Sequence, residues 1–197
     1  MKINNIPFRT IWSTADAVEI IDQTRLPHVF ATLRLNTMRD AEHAIRDMQV
    51  RGAPLIGVTA AYGVALAMRH HATDAALAET CSVLLASRPT AVNLRWGVEN
   101  MRALLAPLPV SERAAAAWQE AARIADEDVA INASIGKHGS EIIRAIHQKK
   151  IEQRKNGTVK GIFRNPEFQD AAQGARSGGP QAVHEVRQGS STAQRND

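Results

Sequence analysis

Aromatic side chains are scarce in this sequence: Phe, Trp and Tyr make up 4% of its 197 residues, against a hydrophobic share of 44%. Alanine supplies much of that apolar share, which disfavours a β-sandwich and favours closely packed helices. Cysteine occurs once, at Cys81, so an intramolecular disulfide and any metal motif built on several cysteines are excluded. No apolar run approaches the ~20 residues of a membrane-spanning helix, and the amino terminus lacks a signal-peptide core. The chain therefore reads as cytoplasmic, without a membrane partner. Acids are fewer than bases, 20 against 24, and the net charge of +4 permits anionic partners without demanding them. The excess is densest at Lys149, Lys150, Arg154, Lys155 and Lys160, with Glu152 the one acid between them. No aromatic interleaves this cluster and no nucleic-acid module is visible, so it reads as a solvated linker.

What is present is a mainly helical α+β pattern. Ala17–Asp22 and Val29–Leu35 have strand character on either side of Gln23–Pro27, which predicts a small antiparallel sheet. Thr37 and Asp40 stand in capping-box spacing at a helix start, and Ala41, Ala44, Ile45 and Met48 follow at core spacing. Residues 54–70 are nearly all apolar and rich in small side chains, the mark of a buried helix. Asp74–Ser87 predicts another helix, with Leu77, Val83 and Leu84 inside and Cys81 as a buried, inert thiol.

Leu94, Trp96, Val98, Met101, Leu104 and Leu105 mark the next helix, ended by Pro107 and Pro109. A long helix then starts near Ser111, with Trp118, Ala121, Ala122, Ala125, Val129 and Ile135 as its expected inner face. Gly136-Lys137-His138-Gly139 is expected to break it, with helix resuming over Ser140–Lys150. Domain organisation is expected to be a folded unit over residues 1–150 and a basic linker and tail over 151–197. Residues 161–197 carry few large apolar side chains and no periodicity, and are expected to be disordered.

Two junctions carry the chemistry. In Arg51-Gly52-Ala53-Pro54-Leu55-Ile56-Gly57 an arginine and a glycine precede a proline-opened helix. Amides in the first turn of a helix lack intrahelical partners and attract phosphate oxygens, and an arginine adds a forked cationic grip. Locally, Gly52 suits a helix C-cap, Pro54 a first-turn residue and Arg51 a solvated side chain equally well. Ser87-Arg88-Pro89-Thr90-Ala91-Val92-Asn93-Leu94 forms a second such junction. His138 is open to ligand contact or to a loop role, His70-His71 reads as a solvated helix end, and Asp126-Glu127-Asp128 as a charged helix face.

The two arginine-bearing junctions resemble the signature segments of methylthioribose-1-phosphate isomerases. Glu127-Asp128-Val129-Ala130-Ile131-Asn132, followed by Ile135-Gly136-Lys137-His138-Gly139, is similar to that family too, and the match covers about residues 1–160. The resemblance implies aldose–ketose isomerisation of 5-methylthioribose 1-phosphate to 5-methylthioribulose 1-phosphate in methionine salvage, with no cofactor and no metal. It implies Arg51, Gly52, Ala53 and Arg88 as substrate-binding residues.

It also implies a second, Rossmann-like domain, entered through a strand ending in Cys-Asn-x-Gly, whose cysteine and a later aspartate transfer protons. Here Gly161-Ile162-Phe163-Arg164-Asn165-Pro166 stands in that place without a cysteine, and no catalytic residue can be assigned. The expectation is a truncated or frame-shifted chain, inactive by itself, that binds a sugar phosphate and forms a homo-oligomer or pairs with a full-length homologue. The alternative is a regulatory or assembly module resembling the initiation factor 2B regulatory subunits.

Overall fold

The computed structural model describes residues 2–3 and 5–155. The expected disorder of residues 161–197 lies outside them. The chain divides into two units, Met1–Gly136 and Lys137–Asp197, and the elements that build the site belong to the first.

Short strands open the chain. β1 (Lys2–Ile3) pairs with β2 (Ile6–Pro7), and β3 (Ile11–Ser13), β4 (Val18–Ile21) and β5 (Thr32–Leu35) form an antiparallel sheet in that order. Register places Ile11 opposite Ile20 and Val18 opposite Leu35, so alternate residues of β4 deliver apolar side chains to one buried face. The expected antiparallel pair is present but shorter than its sequence pattern. Residues 29–31 are not strand, and Val29 and Phe30 are exposed after the turn through Leu26-Pro27. β3 carries a single buried residue, Ile11, and was too short a signal to assign from sequence.

α1 (Met38–Arg46) begins with the expected capping box: the Asp40 amide donates to Thr37 Oγ1 at 3.2 Å, and the Thr37 amide to Asp40 Oδ2 at 2.9 Å. Ala41, Ala44 and Ile45 enter the core. Met48 does not. The chain has already left the helix there at φ +60°, and its side chain is exposed.

α2 (Ala53–His70) is the central helix, buried on nearly every side, with α1, α3 (Asp74–Ser87) and α4 (Val92–Leu105) packed against it. Its small residues set those distances. At Gly97 of α4 an added Cβ would stand 2.5 Å from the carbonyl oxygen of Gly57, and at Gly57 one would meet the Asn93 carbonyl oxygen at 2.8 Å. The two backbones therefore touch where either helix begins. α3 has the predicted bounds and a Thr73 cap, with Leu77 and Leu84 fully buried and Val83 only partly so. In α4, Leu94, Val98, Met101 and Leu105 are inside with Gly97, whereas Trp96 and Leu104 face outward. Each fully buried leucine or isoleucine contributes ~1.5–3 kcal/mol.

α5 runs unbroken over Val110–Lys155, through Gly136 and Gly139, where a break was expected. Glycine inside a helix costs only ~1 kcal/mol relative to alanine and removes no hydrogen bond, so helical neighbours carry it. The inner face is also shorter than expected. Ala117, Ala121, Ile124 and Ala125 are buried and Trp118 half-buried, but Val129 and Ile135 are exposed because the described core ends before them. Arg113, 3% exposed, donates to the carbonyls of Leu108, Ala72 and Ala106 at 3.0, 3.0 and 3.1 Å and pairs with Asp74. One guanidinium thus ties the starts of α3 and α5 to the end of α4.

Candidate functional site

The close approach of Gly57 and Gly97 brings the starts of α2 and α4 together. Between them lies a cleft of about 400 Å³ lined by Met48, Arg51, Gly52, Ala53, Arg88 and Asn93, among others. All four residues singled out from sequence, Arg51, Gly52, Ala53 and Arg88, lie on this one cleft, although 37 positions separate its two arginines (88 − 51).

Its electrostatics follow from how the helices start. α1 and α3 are capped by Thr37 and Thr73, but neither Gly52 before α2 nor Ala91 before α4 supplies a side-chain cap. The first intrahelical bonds run from the Ile56 amide to the Gly52 carbonyl and from the Arg95 amide to the Ala91 carbonyl. First-turn amides before those positions point out of each helix without an intrahelical acceptor. Gly52 is the N-cap of α2, with φ +91°, a conformation that glycine adopts without strain; the preceding helix is already capped at Asp47. This resolves the local ambiguity at the first junction in favour of a helix start. Pro54 falls in that first turn, where its missing N–H removes nothing.

Two cations flank the amides. Arg51 is exposed and its Nε donates at 3.4 Å, a weak contact, to the Met48 carbonyl. Arg88, the half-buried C-cap of α3, is held by a turn in which the Ala91 amide donates to its carbonyl at 3.0 Å. Among the described residues neither guanidinium has a carboxylate partner. Two guanidinium groups without carboxylate partners and two helix starts without side-chain caps thus concentrate positive potential on one cleft.

The other candidates lie elsewhere. Cys81 is buried in α3, and burial pushes its thiol up to about 11, so it is neither exposed nor ionised near neutrality. His70 ends α2 and His71 caps it, both exposed, while His138 sits within α5 and not in a loop. Asp126 pairs with Arg9, and Glu127 with Arg123. Glu127 and Asp128 also line a second cleft, of about 390 Å³, with Pro54, Val58, Asn93, Trp96, Ile124 and Ile131. Asp126 and Glu127 are exposed, in keeping with a charged helix face, and Asp128 is half-buried. The approach of α2, α4 and α5 that puts Glu127 and Asp128 on a cleft wall has no local signature. No helix among the described residues is long and apolar enough to cross a membrane.

The model of the Initiation factor 2 subunit family matches residues 49–156, and the chain belongs to that family. Within it the similar proteins include enzymes and a translation factor subunit. The methylthioribose-1-phosphate isomerase of Paramagnetospirillum magneticum is 57% identical over 152 residues, 76% of this chain and 42% of that protein. Among solved structures, the 5-methylthioribose 1-phosphate isomerase of Pyrococcus horikoshii matches with a TM-score of 0.64 at 34% identity, over 68% of this chain and 40% of that one. Subunit delta of the translation initiation factor eIF-2B from A. fulgidus matches with a TM-score of 0.57 at 35% identity, over 62% and 38%. The chain spans about two fifths of the length of these relatives.

Proposed function

We propose that the cleft between α2 and α4 holds the phosphate of a sugar phosphate, and that the sugar phosphate is 5-methylthioribose 1-phosphate. The observation that carries this reading is the convergence of Arg51 and Arg88, neither of them ion-paired among the described residues, on two helix starts without side-chain caps. The names of the relatives supply the identity of the sugar.

The division of labour follows from the side chains. Isomerisation moves a proton between neighbouring sugar carbons and requires an acid–base group beside them. Arginine forks, backbone amides and the Asn93 carboxamide hold and orient an anion but do not exchange protons near neutral pH. We therefore assign substrate binding to Arg51, Gly52, Ala53 and Arg88, and no turnover to the 197-residue chain by itself. Proton nuclear magnetic resonance of the purified protein with 5-methylthioribose 1-phosphate tests this. The expected result is saturable binding without ketose product; formation of ketose that disappears in Arg51→Ala refutes the assignment.

A further inference from the structure

We propose that the second cleft is the seat of the ligand's phosphate-distal, apolar end. This rests on the reading of the first cleft as a phosphate site, and it adds which residues choose the sugar.

Asn93 lines both clefts, and Pro54, a wall of the second, directly follows Ala53 of the first. The two spaces therefore adjoin along the first turns of α2 and α4, with Asn93 lining both. Asn93 makes no side-chain hydrogen bond among the described residues, so its carboxamide has donor and acceptor capacity for a ligand hydroxyl.

Beyond Asn93 the chemistry reverses. The first cleft is cationic, whereas the second combines Val58, Trp96, Ile124 and Ile131 with the carboxylates of Glu127 and Asp128. Trp96 is 50% exposed and Ile131 52% exposed, and both stand beside the buried Val58 and Ile124 on the wall of this cleft. Glu127 is already paired with Arg123, but Asp128 has no cationic partner among the described residues and repels a phosphate dianion, which favours one orientation for a ligand spanning both spaces: anion at Arg51 and Arg88, uncharged end at Trp96. Carboxylates also accept hydrogen bonds from hydroxyls, while Trp96 and Ile131 favour an alkyl or thioether group over water. The pair of clefts thus fits a phosphorylated sugar bearing an apolar substituent and discriminates against the same sugar without it.

Calorimetric titration of the full chain with inorganic phosphate, ribose 1-phosphate and 5-methylthioribose 1-phosphate separates the two claims. Wild-type protein is expected to prefer the methylthio sugar over ribose 1-phosphate by about tenfold, the discrimination an apolar pocket gives for a small group. Trp96→Ala and Ile131→Ser, both at exposed positions that folding tolerates, are each expected to bring that ratio near one while leaving inorganic phosphate affinity unchanged. A wild-type ratio near one, or a tenfold ratio kept in both variants, overturns the second-cleft assignment and leaves the phosphate reading standing. If Arg88→Ala weakens none of the three ligands, or none binds, the phosphate reading fails and the second-cleft assignment falls with it.

Discussion

The Cα of Gly97 lies so close to the carbonyl of Gly57 that a methyl group at Gly97 would stand 2.5 Å from that oxygen. This contact brings the starts of α2 and α4, and with them Arg51 and Asn93, onto one cleft. Gly97→Ala is expected to force the helices apart, lowering stability by about 1–3 kcal/mol in urea denaturation and weakening phosphate-ester binding as well. Gly136, where an added Cβ meets nothing within 4 Å, is the control. Gly136→Ala is expected to stabilise α5 by about 0.5–1 kcal/mol.

Arg51 and Arg88 are predicted to serve binding and not stability. Arg51→Ala and Arg88→Ala are each expected to lower affinity for a phosphate ester at least tenfold, with urea midpoints within about 0.5 kcal/mol of wild type. Wild-type affinity is expected to fall with added salt, because the partly exposed guanidinium groups are screened. Titration of the three proteins at low and high salt checks both statements.

Arg113 is the opposite case. Its side chain is 4% exposed and supplies three donors to backbone carbonyls, whereas its ion-pair partner Asp74 is 87% exposed. Arg113→Met is expected to leave those carbonyls unpaired and cost about 3 kcal/mol. Asp74→Asn is expected to cost less than 1 kcal/mol, since the charge it removes is solvated. Thermal unfolding of the two variants distinguishes a carbonyl clamp from a salt bridge.

Cys81 makes a prediction about pH. Burial raises its thiol from an ordinary value of 9.0 to about 11. A group whose folded value is raised contributes its full stability below the unfolded value and loses it as pH climbs through the folded one. Stability is therefore expected to decline between about pH 9 and 11, and that decline is expected to shrink in Cys81→Ala. The same burial predicts that iodoacetamide leaves the native thiol unmodified at pH 8 and reacts once urea unfolds the chain.

The elements that were legible in sequence are those written locally. Thr37 and Asp40 form the box their spacing announced, and Asp74–Ser87 carries its own cap and stripe. The Arg51 and Arg88 junctions were legible as helix junctions, and it was the family resemblance that implied a binding role for them. That they share one cleft was not readable, since it depends on Gly57 meeting Gly97 across 40 positions (97 − 57). The second cleft was missed for the same reason, Trp96 and Asp128 being far apart in the chain. Gly136 and Gly139 misled in the other direction. A helix breaker acts only where neighbours do not compensate, and α5 continues through both.

The most direct measurement is amide chemical-shift mapping of the isotope-labelled full chain during titration with 5-methylthioribose 1-phosphate. The phosphate-site account predicts saturable shifts concentrated at Arg51–Ile56 and Arg88–Asn93, lost in Arg88→Ala. Shifts confined to the basic end of α5 around Lys149, Lys150 and Arg154, or none at saturating ligand, would contradict it.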